Sequence, residues 1–135
     1  MTYVLDTSAV LTHFRKENGW ERIQSLAEDS DAVLLLASVS LVELGRRLHE
    51  LGFPTDEVDD VIENYTLLFS EILPIDEDVS LQALKISRSA SRRVPLTDCL
   101  IAAAASLRQA CLVHRDRHFG AIEPALLKQL DLSDT

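Results

Sequence analysis

The chain is poor in cysteine, glycine, proline, aromatics and basic residues. Its two cysteines are Cys99 and Cys111, among 135 residues. That excludes a disulfide-stapled scaffold and points to a reducing compartment rather than a secreted protein. Four glycines and four prolines leave no collagen-like repeat and no flexible linker. Apolar runs are short. The longest spans Cys99 to Ala105, seven residues, against the ~20 that a membrane-crossing helix needs. Aromatics make up 5% of the chain and are not interleaved with its basic residues, as a single-strand stacking platform would require. Basic residues number 13 against 22 acidic, a net charge of −9. A simple basic nucleic-acid binder would have the opposite sign. The opening, Met1-Thr2-Tyr3-Val4-Leu5-Asp6, has an acid where a signal peptide needs an apolar run, so a cytoplasmic protein with no membrane association is expected.

What is present is ordinary for a globular protein: 47% hydrophobic and 26% charged residues. A chain of this size buries roughly two-thirds of its unfolded surface. A single domain over residues 1–135 is therefore expected. Residues 2–6 read as a buried strand and 32–37 as a second, continuous apolar strand of the kind parallel sheets use. Short helices are expected at 8–15 and 20–29, broken near Asn18-Gly19. Residues 38–51 read as a helix closed by Gly52. Val58, Val61, Ile62, Tyr65, Leu68, Phe69 and Ile72 carry a helical stripe through 54–72. A third strand at 73–75 is held to an edge by Pro74. Helices follow over 77–93 and 95–109, then a fourth strand at 110–114. A last helix over 121–129 precedes a short fifth strand. Strands alternating with helices predict an α/β fold, a three-layer α/β/α sandwich with a mainly parallel central sheet.

Such sheets place ligands beyond the carboxyl ends of their strands. Asp6 closes the first strand and Asp116 follows the fourth. Glu43 lies one turn into the helix after the second strand, and Asp98 in the first turn of the helix after Pro95. All four acids can share one sheet edge. Clustered carboxylates raise one another's pKa, and a divalent cation removes that cost. Each acid also has an ordinary structural use. Ser40-Leu41-Val42-Glu43 is a capping-box pattern. Asp98 suits a helix dipole. Asp6 could cap a helix, and Asp116 could serve a turn.

Val4-Leu5-Asp6-Thr7-Ser8-Ala9, Ser38-Val39-Ser40-Leu41-Val42-Glu43-Leu44, Leu96-Thr97-Asp98-Cys99-Leu100-Ile101-Ala102-Ala103 and Arg115-Asp116-Arg117-His118-Phe119 resemble, in order, the PIN domain family. More narrowly they look like the VapC toxins of type II toxin–antitoxin pairs. The resemblance implies a metal-dependent endoribonuclease whose acidic site is Asp6, Glu43, Asp98 and Asp116. It implies Mg²⁺ or Mn²⁺, an RNA substrate, products with 5′-phosphate and 3′-hydroxyl ends, a homodimer, and a VapB-like antitoxin that blocks the site. Ser8 and Thr7 are candidates for holding Asp6 or a phosphate oxygen. One position departs from the pattern: toxins of this group commonly have Thr or Ser two residues before the last acid, where this chain has His114. His114 is then the candidate replacement for the hydroxyl that orients the Asp116 carboxylate, with an added sensitivity to pH.

A polyanionic substrate needs local positive charge. Arg115, Arg117 and His118 surround Asp116, and the first two are read as phosphate contacts. Arg46 and Arg47 follow Glu43. Lys85, Arg88, Arg92 and Arg93 precede Asp98, with Lys85 and Arg88 read as a solvated helix face. Cys111, His114 and His118 only superficially imitate zinc spacing. Trp20, Phe53, Tyr65 and Phe69 are read as packing rather than base stacking. Val58, Tyr65, Leu68 and Phe69 could serve a partner as well as the core. Two other readings compete. One is a catalytically silent PIN-like module that binds RNA or protein. The other is a receiver-type signalling domain, which would need adjacent acids after the first strand, where Thr7 follows Asp6.

Overall fold

The computed structural model describes residues 1–134. Five strands form one all-parallel sheet: β1 (Thr2–Leu5), β2 (Val33–Ala37), β3 (Glu71–Leu73), β4 (Cys111–His114) and β5 (Lys128–Asp131). The spatial order is β3-β2-β1-β4-β5. From β1 the chain moves outward through β2 and β3, then crosses back to place β4 on the other side of β1. The strand order reverses between β1 and β4, and that is where open parallel sheets bind ligands.

Six helices cover the two faces: α1 (Thr7–Phe14), α2 (Trp20–Glu28), α3 (Val39–Glu50), α4 (Thr55–Thr66), α5 (Glu77–Ser89) and α6 (Leu96–Leu107). The inner strands β1, β2 and β4 carry apolar residues on both sides, and their alternation feeds two cores. Val4, Leu35, Ala37 and Leu112 pack with α5 and α6. Leu5, Leu34, Leu36 and Val113 pack with α1, α2, α3 and α4. This is the expected α/β/α sandwich, with every strand pair parallel. In α6, Ala102, Ala103 and Ala105 are fully buried; their small side chains let the helix lie close to the sheet. No helix among the described residues is long and apolar enough to cross a membrane.

Four expected elements change. The helix expected over 54–72 ends at Thr66, although its apolar stripe continues. Ser70 N–H donates to Leu34 O and the chain joins the edge of the sheet at Glu71, so strand pairing overrides helical spacing. That moves β3 two residues earlier than 73–75. The helix expected over 77–93 stops at Ser89, where Ala90 turns extended. The helix expected over 121–129 is absent. A 3₁₀ turn spans Arg117–Ala121, and Lys128–Asp131 is β5, paired with β4. Pro124 has no N–H to donate and disfavours a helical Glu123, which breaks the segment. Gly19 opens α2 at φ 99° and Gly52 follows α3 at φ 96°, conformations that favour glycine, while Lys16 and Gln109 also adopt left-handed backbone at φ 51° and 52°.

The residues considered for an interface turn inward. Val58 and Phe69 are buried in the second core, with Tyr65 and Leu68 packed against it. Phe14 meets Phe53 and Tyr65 edge-on, and His13 meets Trp20 and Tyr65.

Leu112, at the centre of β4, is fully buried, whereas Leu67 is 82% exposed. Leu112→Ala is expected to destabilise the protein by about 2–5 kcal/mol. Leu67→Ala should stay within ~0.5 kcal/mol. Urea unfolding measures both, and equal effects would show that β4 is not at the centre of the packing.

Candidate functional site: an acidic cleft at the strand switch

In a parallel sheet with crossover helices, the helices run back against the strands. Their N-termini therefore lie at the carboxyl edge. Asp6 caps α1, Glu43 sits one turn into α3, Asp98 is in the first turn of α6, and Asp116 caps the 3₁₀ turn after β4. All four carboxylates line one cleft of about 340 Å³, with Thr7, Ser8 and Thr97.

The ordinary uses of these acids divide. Asp6 and Asp116 do cap: Ser8 N–H donates to Asp6 Oδ2 at 3.1 Å, and His118 N–H to Asp116 Oδ1 at 2.9 Å. The capping box at Ser40–Glu43 does not form, because α3 already begins at Val39 and Ser40 is inside it. Glu43 instead accepts from Thr7 Oγ1–H at 2.7 Å, across 36 residues of sequence.

A chain of hydrogen bonds ties the two central strands together at the cleft floor. Asp6 N–H donates to Val113 O at 2.9 Å. Arg115 N–H donates to Ser8 Oγ at 3.0 Å, and Ser8 Oγ–H donates to Asp6 Oδ2 at 2.5 Å. Thus Ser8 holds Asp6, and Thr7 holds Glu43.

His114 behaves differently from a replacement hydroxyl. It is buried, and its Nδ1 accepts from Asp116 N–H at 3.1 Å. That leaves Nε2–H to donate to Gln129 Oε1 at 2.9 Å. Gln129 Nε2–H then donates to Phe119 O at 3.0 Å, and Phe119 packs on the His114 ring at 4.7 Å between centroids. His114 fixes the backbone of the Asp116 turn, not its carboxylate. Both of its nitrogens are occupied, which removes it from any zinc set with Cys111.

His118 is the residue whose role the sequence does not disclose beyond its charge. Its Nδ1–H donates to Asp98 Oδ2 at 3.1 Å and lies 3.1 Å from Asp116 Oδ1. One ligand atom each from Asp98, Asp116 and His118 falls within 4.8 Å of the others. The only signal is its i, i+2 spacing from Asp116. Arg115 and Arg117 are exposed. Arg92 donates to Arg117 O at 3.0 Å, and the Arg117 side chain is not among those lining the acidic cleft.

The charges are crowded, and Asp6 and Asp98 are buried. Burial, then the charges of Asp6 and Asp116, push Asp98 up to about 7. The hydrogen bond from His118 opposes this, and Glu43 adds to it. Burial also raises Asp6, against the Ser8 hydrogen bonds, and raises Glu43, against the one from Thr7. Asp6 is 3% exposed, yet its Oδ1 is buried with no partner. A buried carboxylate oxygen left unpaired needs an explanation. A cation would supply it, and a set of carboxylate oxygens suits a hard divalent ion.

A parallel α/β fold that gathers acids at its strand switch thus defines a class of protein with an acidic centre at the carboxyl edge of its sheet. The PIN domain family model matches residues 3–123, and the chain belongs to that family. The VapBC2 complex from Rickettsia felis, solved bound to a DNA fragment from its promoter, contains a chain similar at TM-score 0.75 and 18% identity, over 97% of this chain and 100% of that one. VapBC-5 from Mycobacterium tuberculosis, a member of the VapBC family of toxin–antitoxin systems, gives TM-score 0.65 at 24% identity, over 96% and 98%. VapC20 from Mycobacterium tuberculosis, a sarcin–ricin loop cleaving toxin, gives TM-score 0.68 at 15% identity, over 88% and 93%. At these identities the likeness carries the fold. No curated protein matches the chain significantly.

The pH dependence of stability has a definite sign. Asp98 titrates near 3.8 when unfolded and at about 7 when folded. Between those values the folded state binds more protons, so stability falls as pH rises. In EDTA the Tm is expected to fall from about pH 5 to about pH 8. Asp98→Asn should raise Tm more at the higher pH. Mg²⁺ or Mn²⁺ should recover more stability there, because protons no longer compete for the carboxylates. A flat Tm profile in EDTA would contradict the crowding.

Proposed function

We propose that this chain is a metal-dependent endoribonuclease, the toxin of a type II toxin–antitoxin pair, with residues 1–135 as its single nuclease domain. The observation that carries this reading is the convergence of Asp6, Glu43, Asp98 and Asp116 on one cleft, with Asp6 Oδ1 buried and unpaired. Membership of the PIN family supports it, as does the RNA-cleaving relative among the structural neighbours.

Asp6, Glu43, Asp98 and Asp116 would hold Mg²⁺ or Mn²⁺, with His118 Nδ1 beside the last two. When bound, such an ion supplies an activated water and offsets charge developing on the phosphoryl oxygens. The protein's residues set the geometry. Ser8 keeps Asp6 Oδ2 occupied and leaves Oδ1 for the ion. Thr7 fixes Glu43, and the His114–Gln129 pair fixes the turn that carries Asp116. Asp98, which titrates near neutrality, gives up its proton when the site is loaded. Hydrolysis forms one bond from the water oxygen to phosphorus and breaks the bond to the 3′ oxygen, which takes a proton. The ends are a 5′-phosphate and a 3′-hydroxyl. The proposed partners are a VapB-like antitoxin that covers the cleft and a second copy of the chain, in the cytoplasm.

The test is cleavage of mixed RNA by partner-free protein with Mg²⁺ or Mn²⁺. EDTA is expected to abolish it. Ser8→Ala should lower the rate by roughly 10–100-fold, as loss of a ligand-orienting group does, and Asp6→Asn by more. Folded protein that neither cleaves RNA nor binds these ions would instead be a silent binding module.

A further inference from the structure

The acidic cleft continues into a second, cationic one. That neighbour, about 280 Å³, is lined by Arg15, Arg47 and Arg115 together with Ser8, Leu11, Thr12 and Glu17. Ser8, Leu11 and Arg47 line both clefts, so the two are continuous. The arginines come from three elements. Arg15 closes α1, Arg47 lies four residues beyond Glu43 on α3, and Arg115 follows β4. Arg115 is also held by its backbone, through its N–H bond to Ser8 Oγ. The same serine therefore touches Asp6 on one side and the arginine-lined cleft on the other.

We infer that Arg15, Arg47 and Arg115 form a subsite for an RNA backbone phosphate next to the scissile one. The inference rests on the nuclease reading above and adds a direction. The strand leaves the acidic centre over α1 and α3, not over the basic stretch of α5.

Three observations favour this. First, the present counter-ions of the arginines are easily exchanged. Arg15 pairs with Glu17 at 3.9 Å and Arg47 with Glu50 at 3.2 Å, all with side chains 40% exposed or more. Exposed pairs of this kind contribute ~0–1 kcal/mol, whereas a guanidinium grips a phosphate with paired charge-assisted bonds. Second, no aromatic lines the second cleft, which suits the backbone and not the bases. Third, Lys85 and Arg88 on α5 line neither cleft.

The experiment measures binding of a fluorescein-labelled oligouridylate to the non-cleaving Asp98→Asn protein, across a salt series. Arg15→Ala, Arg47→Ala and Arg115→Ala are added singly and together. Lys85→Ala/Arg88→Ala is the control. Each arginine variant is expected to raise Kd by roughly 3–10-fold. In the triple variant, the slope of log Kd against log salt should flatten by about 0.7 for each phosphate no longer neutralised. The control should match its parent. In the cleaving protein the same variants should raise KM more than they lower kcat. Cleavage by wild-type protein with unchanged binding by the triple variant would overturn the subsite and leave the nuclease standing. Equal weakening by the control would overturn it too. If the arginine variants keep RNA but lose a co-expressed partner protein, the groove is a protein-docking surface and the assignment fails. Absence of any RNA binding or cleavage by the wild type would sink both readings.

Discussion

Four carboxylates stand where the strand order reverses, with Asp6 and Asp98 buried and Glu43 and Asp116 partly so. Most of the local structure manages that repulsion. Helix N-termini face the cluster and favour negative charge. Ser8 donates twice to one oxygen of Asp6, Thr7 once to Glu43, and His118 once to Asp98. These bonds do not suffice. Asp98 still titrates at about 7, and Asp6 and Glu43 still lie above their ordinary values. A protein that needed these acids only as caps would have gained stability by exposing or neutralising them. Their gathering at one cleft, with Asp6 Oδ1 unpaired, marks a place where folding free energy is given up for something other than packing.

The sheet makes the crowding mechanically sustainable. Asp6 and Asp116 leave neighbouring strands, β1 and β4, and the bonds from Asp6 N–H to Val113 O and from Arg115 N–H to Ser8 Oγ hold those strand ends in register. Two apolar cores, one on each face, keep the strands from splaying. The His114–Gln129–Phe119 chain adds a second anchor from β5. The acidic edge is thus fastened from below by packing and from both flanks by hydrogen bonds. That rigidity holds the carboxylates in one arrangement.

The sequence discloses those parts whose signal is local and whose competition is weak. A strand that stops at an acid is legible, as at Asp6, because the apolar run and its end are both in view. The four acids can be assigned to one edge because parallel topology dictates where strands end and crossover helices begin. Tertiary pairing is not legible. The stripe through Phe69 and Ile72 keeps helical spacing, yet the edge of β2 captures the chain at Ser70. At residues 121–129 composition suggests a helix, and Pro124 together with the free edge of β4 decides otherwise. Thr7 and Glu43 meet across 36 positions, a contact that no spacing rule contains. His118 reads as one more cation near Asp116, because its second carboxylate, Asp98, is supplied by a different helix. The replaced hydroxyl at His114 misleads in an informative way: the position still serves Asp116, but through the backbone.

The net charge of −9 ceases to be a paradox once the charges are placed. Many acids are exposed on helices, as with Asp56, Glu57, Asp59, Asp60 and Glu63 on α4 and Glu77 and Asp78 on α5. Such surfaces repel a polyanion and weaken indiscriminate adhesion. Potential near a cleft is set by the nearest groups and by low-dielectric walls more than by the sum over the molecule. A divalent ion adds two positive charges at the acidic centre. With an ion bound, the negative charge of the acidic cleft would be largely offset beside the three arginines of its neighbour. On the proposed nuclease reading, the ion that relieves the carboxylates would also lessen the repulsion a phosphate meets there. On that reading, the acidity of the site would make phosphate binding stronger when the ion is present.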